Sequence, residues 1–136
     1  MGKKYRILSD KNKYSLPKED YLTAIHYSLR YPMWVEELRT AADTGSAIRY
    51  DRDKVQTSND SDQTAEVAMR MAELSSRIDL IDEIISQVSG GLDSWLRLGV
   101  CHGLTFEQLK GKDIPCERDK YYLMRRRFYY ELAQKI

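Results

Sequence analysis

Apolar side chains recur at Val67, Met71, Leu74, Ile78, Ile81, Ile85 and Val88, with spacings that alternate between four and three residues. That period puts one apolar stripe on a helix and leaves charged residues on its other faces. Gly90-Gly91 ends the run, because glycine accepts left-handed dihedrals, and Ser61 or Thr64 supplies a cap at the start. The pattern predicts one long helix over 63–89. A stripe this regular suits a coiled-coil partner, so Val67, Met71, Leu74, Ile78, Ile81 and Ile85 are candidate oligomerisation positions. Another helix of the same chain would satisfy the stripe equally well. Three heptads leave both readings open, a homodimer among them.

Upstream, Ser15-Leu16-Pro17-Lys18-Glu19-Asp20 reads as a helix start, with proline in the first turn and acids near the positive end of the dipole. Tyr21, Leu22, Ile25 and Leu29 then share a face, with His26 beside them. Tyr31-Pro32 breaks the pattern, since the residue before proline is pushed out of the helical region. A second helix follows through Trp34, Val35, Leu38 and Ala42 and is expected to close near Gly45. The stretch 44–62 is polar and rich in Ser, Asn and Asp, and reads as a linker. No strand-like alternation is long enough to count, so the fold class is all-α. The expected organisation is an N-terminal helical segment (1–43), the linker (44–62), the long heptad helix (63–91) and a C-terminal helical domain (92–136).

That last region carries the functional argument. Leu92 to Gly103 reads as a short helix stopped by glycine; a second runs from Thr105, its N-cap, to Lys110. Gly111-Lys112-Asp113-Ile114-Pro115 makes a turn, with Ile114 as a core plug, and a final helix runs from Cys116-Glu117 to Ile136. Two short helices, a glycine-containing turn and a third helix make a helix-turn-helix order. On the final helix Tyr121, Met124, Phe128, Leu132 and Ile136 share the inner face. Lys120, Leu123, Arg126, Arg127 and Tyr130 project outward, with Arg118, Tyr122 and Arg125 on the flanks.

Charge sharpens this picture. The chain of 136 residues has a net charge of +1, so no bulk attraction to nucleic acid is implied. The distribution is uneven. Residues 1–13 and 110–136 each carry a net of +4, and residues 64–93 a net of −4. A basic and aromatic helix face behind a short turn suits DNA phosphates and base edges. The candidate DNA-binding residues are Lys110, Lys112, Glu117, Arg118, Lys120, Tyr122, Arg125, Arg126 and Arg127. Glu117 and Asp119 depart from a simply basic reader; such acids accept from cytosine amino groups or orient Arg118.

The segments Leu98-Gly99-Val100, Gly103-Leu104-Thr105-Phe106-Glu107-Gln108-Leu109, Ile114-Pro115-Cys116-Glu117-Arg118-Asp119-Lys120-Tyr121-Tyr122 and Arg125-Arg126-Arg127-Phe128-Tyr129 resemble the C-terminal region of RinA/ArpU-like phage transcriptional regulators. Tyr31-Pro32-Met33-Trp34-Val35-Glu36-Glu37-Leu38 is similar to their N-terminal helix. The resemblance spans roughly 15–43 and 64–136 and is one of pattern, without a signature motif. It implies a sequence-specific, double-stranded-DNA-binding activator of late phage genes acting in the host bacterial cytoplasm, with host RNA polymerase as a further partner. By position it sets Glu117, Arg118, Lys120 and Tyr121 at the start of a recognition helix, although helical periodicity puts Tyr121 on the core face.

Other chemistry has little support. No window approaches 18 uncharged apolar residues, and the basic start lacks the apolar run of a signal peptide. Cys101, His102, Cys116 and His26 make no metal-ligand spacing, and no cofactor motif, P-loop or catalytic triad is present, so no enzyme activity, metal or cofactor is expected. Cys101 reads as a core residue; Cys116, near a helix start, as a thiol whose pKa that terminus lowers. Two alternatives stand beside the regulator. One is a small-terminase-like packaging protein, although those place the DNA module first. The other is a helical inhibitor of a host or defence protein, working through the acidic residues 64–93.

Overall fold

The computed structural model describes residues 13–52 and 58–136, without the side chains of 44–52 and 58–62. It is all-helical, in the order α1 (Lys18–Leu29), α2 (Tyr31–Arg52), α3 (Ser58–Ser89), α4 (Asp93–Val100), α5 (Phe106–Lys110) and α6 (Arg118–Ala133). No strand occurs among the described residues. Lys3, Lys4, Arg6 and Lys11 of the basic N-terminal stretch lie outside them.

The expected linker is corrected by the helix bounds. Helix α2 does not close at Gly45 but continues to Arg52, and α3 begins at Ser58, leaving only 53–57 of that stretch outside the described residues. Ser61 and Thr64 therefore sit inside α3 and do not cap it. The interruption between α1 and α2 falls at Arg30. Pro32, in the first turn of α2, lacks the N–H that would bond back to Ser28, so α1 cannot run on unbroken.

Two compact units emerge. One gathers α2 with α3 as far as Leu80. Within it Trp34 is buried, and the Arg77 guanidinium lies 5.5 Å from its ring centroid. Arg70 makes a two-pronged bridge to Glu37, Nε to Oε1 at 2.8 Å and Nη2 to Oε2 at 3.0 Å, and a further contact to Glu73 at 3.2 Å. The hydrogen bonds from Arg70 hold the Glu37 carboxyl below its ordinary pKa.

The other unit gathers α1, the end of α3 from Ile81, and α4 to α6. Helix α1 packs on α6 and α4, so it is built into the C-terminal helices and does not form an N-terminal segment with α2. Its core contains Ala24 and Ile25 of α1, Ile81, Ile84, Ile85 and Val88 of α3, Leu96 and Val100 of α4, Phe106 and Leu109 of α5, and the inner face of α6. Ile84 is buried as well, beside the heptad stripe. Gly90 (φ 59°) and Gly91 (φ 95°) stop α3 in left-handed conformations, as the sequence predicts. Across that turn the buried Ser89 hydroxyl donates to the Asp93 carboxylate, tying the end of α3 to the first residue of α4. Arg97 of α4 reaches back to Asp82 of α3 through Nε (3.2 Å) and Nη2 (3.0 Å).

The heptad residues Leu74, Ile78, Ile81 and Ile85 are buried within the single chain, while Val67 and Met71 are half-buried. The greater part of the candidate oligomerisation stripe is thus already covered without a second subunit. No helix among the described residues is long and apolar enough to cross a membrane.

Candidate nucleic-acid interface

Helix α5 begins with a reciprocal cap. The Gln108 amide N–H donates to Thr105 Oγ1 at 3.2 Å, and the Thr105 N–H donates to Gln108 Oε1 at 2.8 Å. Two donors left open by the helix start are satisfied by this box, which fixes a helix of only five residues. Phe106 and Leu109 anchor it to the core, and Glu107, Gln108 and Lys110 face solvent.

The turn that follows is held by backbone bonds to the end of α5. Lys112 and Ile114 N–H both donate to the Leu109 carbonyl, at 3.0 and 3.1 Å, and Asp113 N–H donates to that of Lys110 at 3.0 Å. Asp113 has φ 68°, a conformation that aspartate tolerates better than most residues. Ile114, expected as a core plug, is only half-buried. Helix α6 then starts after Glu117, whose extended backbone lets the Tyr121 N–H reach its carbonyl at 3.0 Å.

On α6 the inner face is Tyr121, Met124, Phe128 and Leu132, joined by Tyr129, which the sequence pattern had not assigned. Ile136 is exposed, because the helix ends at Ala133. Tyr121 belongs to the core, where helical periodicity puts it, and not to the exposed start of the helix. Its ring packs 5.6 Å from Phe106, and its hydroxyl has no hydrogen-bond partner. Burial pushes that hydroxyl up to about 12.

The remaining candidates divide cleanly. Lys110, Lys112, Glu117, Arg118, Lys120 and Arg127 are exposed. Tyr122 is half-buried, with its ring near those of Phe106 and Tyr121. Arg126 is also partly covered. Arg125 turns inward. Its guanidinium lies 5.6 Å from the Tyr129 centroid, and its Nε is buried without a partner. Tyr129 itself meets Tyr21 of α1 edge-on at 5.5 Å, so Arg125 stands where α6 and α1 pack.

Two contacts could not be read from spacing along one helix. Arg118 Nη1 lies 3.5 Å from Glu107 Oε1 of α5, with the guanidinium near the rings of Phe106 and Tyr122. Tyr14 meets Tyr130 at 5.6 Å, which brings Lys13, whose Nζ lies 5.1 Å from the Tyr14 centroid, to the outward face of α6.

Burial pushes Cys101 up to about 12, and it raises Cys116 too, against the pull of Lys120; the expected lowering at the helix start is overturned. Among the described residues no group of three His, Cys, Asp or Glu could hold a metal ion. No family model, curated protein or solved structure matches this chain.

Proposed function

We propose that this protein binds double-stranded DNA through the exposed face of α5, the following turn and α6, and acts as a transcriptional regulator of the phage late-gene type. One observation carries the reading. Five cations, Lys110, Lys112, Arg118, Lys120 and Arg127, stand exposed on consecutive elements whose apolar sides are buried in a shared core. Cations on a rigid frame suit phosphate anchoring, because their positions survive the loss of solvent and counterions on binding. Arg118, Lys120 and the half-buried Tyr122 lie in the first turns of α6, where side chains approach base edges when a helix enters the major groove. Lys110, Lys112 and Arg127 are assigned to phosphates. Arg125, turned toward Tyr129, is excluded from the contact set, and Arg126 takes a peripheral place in it.

The test is a titration of genomic fragments with the purified chain across a salt series. Saturable binding to one segment, weakening as salt rises, is expected. With about five phosphates neutralised, log affinity should fall against log salt with a slope of about −4 to −5. Loss of binding in Arg118→Ala/Lys120→Ala with an unchanged unfolding curve would tie the activity to this face. Absence of binding at low salt would overturn the reading in favour of a protein-binding module. Exposed Glu66, Glu73, Asp79 and Glu83 on α3 would then be the surface to pursue.

A further inference from the structure

The contact between Glu107 and Arg118 joins two elements that the turn 111–117 could have left apart. The carboxylate is carried by α5, which the Thr105–Gln108 box and the burial of Phe106 and Leu109 hold in place. The guanidinium belongs to the first residue of α6 and lies 5.9 Å from the Phe106 centroid and 5.6 Å from that of Tyr122. Stacked near those rings, Arg118 keeps its N–H edge for an acceptor, and Glu107 Oε1 stands 3.5 Å from Nη1. Both side chains are largely exposed, 61% and 66%, so the pair opens readily.

We propose that Glu107 is a built-in competitor for the anion that Arg118 takes up. The carboxylate occupies part of the donor edge that a DNA phosphate or base acceptor would use, so binding requires one acceptor to be exchanged for another. This rests on the DNA-binding reading above and adds its regulation. A backbone phosphate gains little over the resident carboxylate, since either supplies one negative charge. An acceptor array that engages several donors of this face at once gains more. Glu107 therefore lowers the affinity of every complex that uses Arg118 by the same factor, and only complexes with further contacts stay tight.

The experiment is a double-mutant cycle on Glu107 and Arg118 with a 20-base-pair duplex, with Asp119→Asn as a control for general loss of negative charge. An exposed ion pair of this kind is weak, so Glu107→Gln should tighten binding to random duplex by about two- to fivefold. The gain should vanish on the Arg118→Ala background, and Asp119→Asn should keep its own smaller gain there. Equal gains from Glu107→Gln with and without Arg118 would overturn the proposal, as would no gain at all. A second readout does not need DNA. Titration of inorganic phosphate, followed at the Arg118 side-chain N–H by NMR, should give tighter binding in Glu107→Gln by a similar factor. Unchanged phosphate affinity would also overturn it. A phosphate effect without any duplex binding would support the competition and remove the DNA reading alone.

Discussion

The hydroxyl of Tyr121 fills the space in front of Gly99: a Cβ built on that glycine would collide with the Tyr121 oxygen and come within 3.0 Å of its Cζ. Helix α4 can therefore approach α6 closely only because residue 99 has no side chain. The same contact encloses a hydroxyl that has no hydrogen-bond partner, an arrangement that costs stability.

Gly99→Ala should destabilise the chain by about 1–3 kcal/mol through overpacking, read as a lower urea midpoint. Tyr121→Phe should be neutral or stabilising, since it removes the unsatisfied hydroxyl and keeps the ring. In the double variant the penalty of the alanine should shrink. Strict additivity of the two changes would contradict this contact.

Ile78→Asp places a charge at a position only 8% exposed in the α3 stripe. We expect loss of about 3 kcal/mol or more, seen as partial unfolding by circular dichroism at room temperature. A variant with unchanged stability would refute the buried stripe.

Arg125 and Arg127 should separate by readout. Arg125→Ala should lower stability by about 1–3 kcal/mol by stripping the packed guanidinium from Tyr129, with little direct effect on the salt slope of DNA binding. Arg127→Ala should leave stability within about 0.5 kcal/mol and reduce that slope by about 1. The reverse pattern would show that Arg125 turns outward to reach DNA.

Alkaline pH should weaken the fold. Tyr121 and Cys101 are both pushed up to about 12 by burial, from ordinary values of 10.0 and 9.0. The folded state then holds protons that the unfolded chain releases. The stability from these groups is fully present below about pH 9 and is lost as pH rises toward 12, at about 1.4 kcal/mol per pH unit for each group in its window. Urea midpoints at pH 8 and pH 10.5 test this, and Tyr121→Phe should reduce the slope. Thiol labelling at pH 8 should modify Cys116, half-exposed, well before the buried Cys101.

Local chemistry made several elements legible. The 3.5-residue stripe defined α3 to its glycine stop, the Thr105 cap marked α5, and the 100° wheel found four of the five buried positions of α6. The linker failed for an equally local reason. Gly45 and the Ser, Asn and Asp residues of 44–62 lower helix propensity by about 1 kcal/mol each at most, and no proline stands between Pro32 and Pro115 to forbid a helix sterically. A weak preference read as a stop was overridden.

By itself, then, the sequence determined the all-helical class, the main stripe and which residues of α6 are cations, because these depend on periodicity and side-chain type over one or two turns. Only the tertiary structure decided that α1 belongs with α6, that Arg125 faces Tyr129, that Tyr121 needs Gly99, and that Glu107 meets Arg118. Each of these joins residues on different elements or chooses which side of a flank position is covered. The free energy of such a choice comes from burial against a partner whose place along the chain no local period encodes.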